Sequence, residues 1–403
     1  MRKPDQIPID NFDYLLPDER IAKYPLKERD SSRLLIYRSG TIEERKFSDV
    51  PSLFGEDECL FFNSTRVVQA RLEFRKSTGA RIEIFCLEPF RPNDYQLSFS
   101  STEPVEFICL VGNAKKWKNE ALRMMVGNCL LTAEHTGRLD DKFIIRFSWN
   151  DRSVAFAEIL ERSGSTPIPP YLNRTAEAKD AITYQTVYAR QNGSVAAPTA
   201  GLHFTDHVLA QLKEKGVRRS ELILHVGAGT FIPVKTENAA DHRMHAEHVS
   251  VNRELLASLV VTLRVIAVGT TTTRSLESLY WLGVLAMTTP DFSFDNLFLD
   301  QWDAYELDDN ITLNDSIGSL LEKMNSANID SFTFRTRIMI SPGYKFKVIK
   351  ALFTNFHQPK STLLLLIAAV TGDDWKKIYS YALENNFRFL SYGDSSLLFT
   401  GED

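Results

Sequence analysis

Tyr184–Thr205, YQTVYARQNGSVAAPTAGLHFT, places tyrosine, threonine and histidine among small residues. Hydroxyls and an imidazole bind polar ligands and exchange protons. Glycine lacks a Cβ, so Gly193 and Gly201 let the backbone approach a ligand closely. The run has neither a helical nor a strand period, and Gly193, Pro198 and Gly201 interrupt it. An ordered, aperiodic segment of this kind reads as a site rather than a scaffold. The competing reading is a surface loop rich in small residues.

Other strings carry similar chemistry. LILHVGAGTF (Leu222–Phe231) ends an apolar run in a Gly-x-Gly turn at Gly227 and Gly229, followed by Thr230. The third glycine of a dinucleotide fingerprint is missing, because Ile232 and then Pro233 follow. No acidic residue closes a second strand about 20 residues on, so a nicotinamide-type site is discounted. The glycines still permit close approach of a substrate. VGTTTTRSLES (Val268–Ser278) follows an apolar strand and opens into a helix expected from Ser275. A helix N-terminus with Thr270, Thr271 and Arg274 favours an anion; the alternative is a capped helix with an exposed arginine. TNFHQPKSTLL (Thr354–Leu364) puts Asn355, His357, Lys360 and Ser361 ahead of the apolar run LLLLIAAV, read as a buried helix.

DHRMHAEH (Asp241–His248) invites a metal reading. On a helix His242 and His245 share a face and His248 does not. On a strand His242 and His248 share one and His245 opposes them. With no Cys-x-x-Cys pair in support, no metal is expected. His203 and His207 lack the glutamate of a zinc-protease helix.

The 403 residues exceed what one hydrophobic core holds, so two domains are expected. Hydrophobic residues at 43% and charged residues at 25% are ordinary for a globular chain. No apolar run is long enough to span a bilayer, and the first ten residues lack a signal-peptide core. The four cysteines are not closely paired, which fits reduced cytosolic thiols and a cytoplasmic location. A net charge of −5 restricts nucleic-acid binding to a local basic patch.

A helix is expected near Pro17–Ala22, with strands near Leu34–Tyr37 and Cys59–Phe62. From Val67 to about Asn150, strand-like runs such as ARIEIFCLE and KFIIRFSWN alternate with turns, the pattern of a small antiparallel β unit. Helical spacing returns in VAFAEILERSG. Later, helices alternate with LILHV, RVIAVG and KVIKALFT, which argues for an α/β body. The expected architecture is therefore a discontinuous α/β domain, residues 1–66 and 152–403, with residues 67–151 inserted as a small antiparallel β-barrel. The zone 281–335 reads as a surface elaboration, with a helix capped by Asn314 or Asp315 and running through Lys323.

Taken together, YQTVYAR, SVAAPTAGLHFT, LHVGAGTF, DHRMHAEH, VGTTTTRSLES, TNFHQPKSTLL and SYGDSSLL (Ser391–Leu398), with DSSRLL (Asp30–Leu35) and FNSTRVVQAR (Phe62–Arg71), resemble the S-adenosylmethionine:tRNA ribosyltransferase-isomerases of queuosine biosynthesis. The resemblance runs from about Phe12 to Leu398 and is weaker over 90–150 and 281–335. It implies an α/β domain carrying a small β-barrel. It also implies transfer and isomerisation of the ribosyl group of S-adenosylmethionine onto an aminomethyl-deazaguanine at the tRNA wobble position. S-adenosylmethionine is then a co-substrate, with no permanently bound cofactor and no metal. The partner is a tRNA, not a membrane, and a monomer is expected.

Within the matching strings, His203, His225, His245, Glu247 and Tyr184 are the candidates for proton transfer. Asn63, Thr65, Arg66, Arg71, Thr199, Gly201, Gly227, Gly229, Thr230, Thr270, Thr271, Arg274, Asn355, His357, Lys360, Ser361, Tyr392 and Asp394 are the candidates for substrate contact. Arg66, Arg71, Arg274 and Lys360 would supply the basic patch. One departure stands out: the family usually reads Asn-Asp-Thr-Arg where this chain has Asn63-Ser64-Thr65-Arg66. A serine in place of a cap would be neutral; otherwise it marks a paralogue with a different acceptor.

Overall fold

The computed structural model describes residues 1, 3–118, 120–225, 227, 234 and 236–401. The chain first forms β1 (Arg33–Arg38), β2 (Thr41–Lys46), β3 (Glu58–Asn63) and the short β4 (Thr65–Val67). It then builds β5 (Arg71–Arg75), β6 (Arg81–Arg91), α1 (Tyr95–Ser100), β7 (Val105–Gly112), β8 (Leu122–Val126), β9 (Cys129–Leu139), β10 (Lys142–Trp149), α2 (Phe156–Ser163) and β11 (Gly164–Ser165). After α3 (Asp180–Thr183) come β12 (Gln191–Ser194), α4 (Asp206–Glu214), β13 (Arg218–His225), β14 (Glu247–Asn252), α5 (Arg253–Val261), β15 (Arg264–Val268) and α6 (Thr270–Thr288). The remainder is β16 (Phe298–Leu299), α7 (Asp303–Glu306), α8 (Leu313–Ala327), β17 (Ser331–Thr336), β18 (Ile349–Asn355), α9 (Thr362–Thr371), α10 (Trp375–Glu384) and β19 (Ser395–Phe399).

The fold is mixed α/β. A ten-stranded sheet has the order β16-β17-β14-β13-β3-β15-β18-β19-β1-β2. Its centre, β13-β3-β15-β18, is parallel, and such strands are buried on both faces. Alternation along each strand sorts the apolar side chains. Cys59, Phe61, Val265, Ala267 and Leu352 pack on one side with α5, α6, α8, α9 and α10. Leu60, Phe62, Ile266, Val268, Ala351 and Phe353 pack on the other with α4.

A second sheet, β11-β5-β6-β7-β10-β9-β8, is antiparallel throughout and curls until β5 approaches β8. It encloses its own core, to which α1 and α2 contribute Tyr95, Phe99, Phe156, Ile159 and Leu160. No helix among the described residues is long and apolar enough to cross a membrane.

Several expectations need correction. Pro17–Ala22 holds only a three-residue 3-10 turn, Asp18–Arg20, too short a run to nucleate an α-helix. Thr312, not Asn314 or Asp315, caps α8, its side chain accepting from the Asp315 amide, and the helix runs on to Ala327. The zone 281–335 is not a surface elaboration. Ile317, Leu320 and Met324 of α8 are fully buried, and β17 extends the large sheet by pairing with β14. Helix α6 starts at Thr270, a full turn before the expected Ser275, because Gly269 adopts φ +99° and turns the chain straight from β15 into the helix.

Candidate active site

The carboxyl ends of the parallel strands converge at one place, where open α/β sheets bind ligands. Asn63 ends β3, Val268 and Gly269 end β15, and Thr354 and Asn355 end β18. These residues line a cavity with about 880 Å³ of empty space, continuous with solvent. Two helices point their N-termini into it: Thr270–Thr272 of α6 and Ser361–Leu363 at the start of α9. The first amides of a helix have no intrahelical acceptor, so this end of the cavity favours an anionic group. The Ala196–Ala200 segment closes another wall, with Tyr171, His357, Gln358, Leu390 and Ser391 completing the lining.

The cavity is held by buried polar contacts. Asn63 Oδ1 accepts from the Thr65 amide at 2.9 Å and the Leu224 amide at 3.3 Å, which ties β3 to β13. Thr199 Oγ1 donates to Asn355 Oδ1 at 2.8 Å. His357 Nε2 lies 2.7 Å from Thr354 Oγ1, and burial pushes its imidazole down to about 3. Ser361 caps α9 by accepting from the Leu364 amide. Tyr14 donates to the His357 carbonyl, and Lys360 Nζ sits 2.7 Å from Asp10 and 3.2 Å from Asp13. An N-terminal strand of chain is thereby strapped across the loop 355–361.

Of the substrate-contact candidates, Asn63, Thr199, Thr270, Thr271, Asn355, His357 and Ser361 meet in this cavity. The others lie elsewhere. Thr65 is buried behind Asn63 with its hydroxyl on the Leu224 carbonyl at 2.6 Å. A Cβ on Gly201 would lie 1.8 Å from the Tyr188 hydroxyl, so that glycine serves packing. Asp394 is buried, accepting from the Arg33 and Arg388 amides. Tyr392 lines a smaller recess beside the main cavity. Gly227 has open space where a Cβ would project; Gly229 and Thr230 lie outside the described residues.

The four cations proposed as one patch are not gathered. Arg71 pairs with Glu83 at 2.7 Å on the second sheet. Arg66 is exposed, 3.5 Å from Glu161. Lys360 is held between two aspartates, and Arg274 is buried. Arg274 is thus no exposed helix-start cation: its Nη1 lies 3.3 Å from Glu247 Oε2, and its Nε donates to the Ile338 carbonyl at 3.1 Å.

The proton-transfer candidates fall into four places. His245 and Glu247 approach within 3.6 Å, next to Arg274. Burial pushes the Glu247 carboxyl up, but Arg274 and His245 outweigh it and hold it below the usual carboxylate range. His225 stacks on Tyr95 with centroids 3.9 Å apart and planes 2° from parallel; burial pushes it down to about 4. Tyr184 is fully buried beside Tyr392, with ring centroids 5.9 Å apart. His203 lies behind Asn355, and burial pushes it down to about 3. No cluster of three or more metal-ligating side chains occurs among the described residues.

Ser64 is buried between β3 and β4 and caps no helix; its hydroxyl faces the Leu222 carbonyl at 3.4 Å. Sequence reasoning missed Tyr171, Gln358 and Ser391 as lining residues. Gln358 and Ser391 lie within site-like strings, whereas Tyr171 lies in none and carried no signal.

The geometry can be set beside known proteins. The queuosine biosynthesis protein family matches residues 9–398. An S-adenosylmethionine:tRNA ribosyltransferase-isomerase of Aromatoleum aromaticum is 37% identical over 395 residues, 97% of this chain and 97% of that protein. One of Trichlorobacter lovleyi is 37% identical over 398 residues, 97% of this chain and 99% of that protein. A crystal structure of S-adenosylmethionine tRNA ribosyltransferase from Thermotoga maritima is 27% identical, covering 96% of this chain and 99% of that one, with a TM-score of 0.46. With nearly its whole length matched, this chain belongs to the queuosine biosynthesis protein family.

Proposed function

We propose that the cavity binds S-adenosylmethionine and that the enzyme transfers and isomerises its ribosyl group onto the 7-aminomethyl-7-deazaguanine at the tRNA wobble position. Adenine and methionine leave, and an epoxyqueuosine nucleotide remains. The observation that carries this reading is the convergence of three strand ends and two helix N-termini on one cavity, in a chain matched to this family over residues 9–398. The helix starts at Thr270 and Ser361 suit the methionyl carboxylate. S-adenosylmethionine acts as co-substrate, with no cofactor held permanently.

The chemistry needs three proton movements. A base removes a proton from the 5′ carbon, which the neighbouring sulfonium acidifies. The departing adenine takes up a proton. The acceptor ammonium loses one before its nitrogen attacks. His245 with Glu247, together with His225 and Tyr184, are the groups we assign to this work as a set.

The same reading carries finer proposals. The expected inserted β-barrel domain, 67–151, extends to about residue 165, because α2 packs in the core of the second sheet and β11 pairs with β5; the rest of the chain forms the catalytic domain. The enzyme is a cytoplasmic monomer, and its tRNA binds through few phosphate contacts, as an acidic protein requires.

Incubation with S-adenosylmethionine and tRNA bearing the deazaguanine amine, read by nucleoside mass spectrometry, tests the function. Adenine release and the epoxide nucleoside are expected together. Ser64, where the family usually has aspartate, favours a second reading with a different acceptor. A free amine-bearing base that reacts as fast as the tRNA at equal concentration would establish that alternative.

A further inference from the structure

His203 stands between two cavities without lining the larger one. The smaller recess is lined by Arg29, Ser32, His203, Arg388 and Tyr392. On the other side, Asn355 separates the ring from the main cavity. Phe47 stacks against the imidazole at 5.1 Å between centroids. The ring is therefore held off the main cavity, with Asn355 between them.

Its hydrogen bonds have a fixed order. Nδ1 lies 2.8 Å from Ser32 Oγ, a hydroxyl able to accept from the ring. The atom facing Nε2 is Asn355 Nδ2, at 3.3 Å. A carboxamide nitrogen only donates, so Nε2 keeps its lone pair and the proton of the neutral ring resides on Nδ1. The Asn355 oxygen is thereby turned to Thr199 Oγ1, which donates to it at 2.8 Å. A carboxamide nitrogen has two protons; one is spent on His203, and the other remains for the cavity that Asn355 lines.

We propose that His203 is a positioning residue, not a proton carrier: through Nε2 it fixes the orientation of the Asn355 carboxamide, which then presents an N–H to an oxygen or nitrogen acceptor of the bound nucleoside. The inference rests on the reading of the cavity as the S-adenosylmethionine site. Its burial keeps the ring neutral at working pH, so the accepting lone pair is always present. Without it the amide is free to flip, and Asn355 offers its oxygen where the nucleoside needs a donor.

His203→Ala and His203→Gln separate the two roles. Glutamine places an oxygen near the position of Nε2 and accepts from Asn355, but it does not carry protons at neutral pH. His203→Ala is expected to raise KM for S-adenosylmethionine several-fold, up to about tenfold, with a smaller change in kcat, as for one lost hydrogen bond. His203→Gln should restore KM to within about twofold of wild type by the same scale, and the pH profile of kcat/KM should keep its limbs in all three proteins. A loss of about a hundredfold in kcat in both variants, with KM unchanged and one limb gone, is the signature of general acid–base catalysis and overturns the proposal. Wild-type kinetics in both variants overturns it too. Calorimetry on the wild type comes first: no S-adenosylmethionine binding there sinks the reading of the cavity. The hydrogen-bond order is then still decided by 15N shifts of His203, for which an Nε2–H tautomer overturns the assignment.

Discussion

Gly193 and His225 are in direct contact: the Gly193 carbonyl lies 2.9 Å from Nδ1 of the ring. A Cβ on Gly193 would come within 2.3 Å of the same nitrogen. The glycine is therefore what allows the imidazole to lie flat on Tyr95, the residue by which the second sheet's α1 reaches the end of β13.

Gly193→Ala should push His225 out of that stack. Overpacking a buried contact costs about 1–3 kcal/mol, so the thermal midpoint should drop. An unchanged midpoint, measured by calorimetry, would mean that the ring has room to move which the packing does not show.

Glu247 and Arg274 are almost fully buried, with side-chain exposures of 1% and 5%. Removing either partner leaves a buried charge unpaired, at a cost of about 3–5 kcal/mol. Glu247→Ala and Arg274→Ala should each unfold at clearly lower denaturant. Replacing both with apolar residues of similar volume should recover much of that stability and none of the activity. Additive losses in the double variant would show that the two do not act as a pair.

Acid should destabilise the fold through imidazoles that it keeps neutral, three of them buried and His248 partly so. His203 and His357 are pushed down to about 3, and His225 and His248 to about 4, in each case chiefly by burial. In the folded protein these rings stay neutral, whereas in the unfolded chain each takes up a proton below about 6.5. The unfolded state then binds more protons, so stability falls as pH drops from about 6.5 toward 4, by as much as about 1.4 kcal/mol per unit for each ring. Urea midpoints between pH 8 and 5 check this, and His203→Gln should make the fall shallower. A stability that rises on acidification through this window contradicts the buried neutral rings.

S-adenosylmethionine should bind equally well before and after exhaustive chelation. The motivation is that no metal-ligating cluster of three occurs among the described residues. Loss of binding on chelation, restored by zinc or iron, refutes this.

Much of the body was legible from pattern alone. RVIAVG and KVIKALFT read as buried strands because parallel central strands are apolar on both faces, and they are β15 and β18. LLLLIAAV read as a buried helix because a short apolar run follows a cap signal, and it lies in α9, capped by Ser361. The cavity itself was not read from the sequence, but seven of the proposed contacts line it. What failed was partnership across long separations. Nothing local to Arg274 tells that Glu247 neutralises it, and nothing local to Lys360 tells that Asp10 and Asp13 hold it. The zone 281–335 misled because the helical stripe Ile317, Leu320 and Met324, which joins the main core, was not read. Gly269 misled because its positive φ let α6 begin earlier than the first apolar residue suggested.

The pairing of β1 with β19 has a consequence for synthesis. Leu34 and Tyr37 find their parallel partners in Ser395 and Leu398, so β1 leaves the ribosome long before the strand it pairs with. Until then β1 and β2 are an isolated hairpin, which is marginal in water, and their apolar edge is open to pairing with another nascent chain. Contacts so remote in sequence are slow to form. Translation that stalls before residue 395 therefore yields not a weaker enzyme but an aggregation-prone fragment, and newly made chains should depend on a holding chaperone more than their mature stability would suggest.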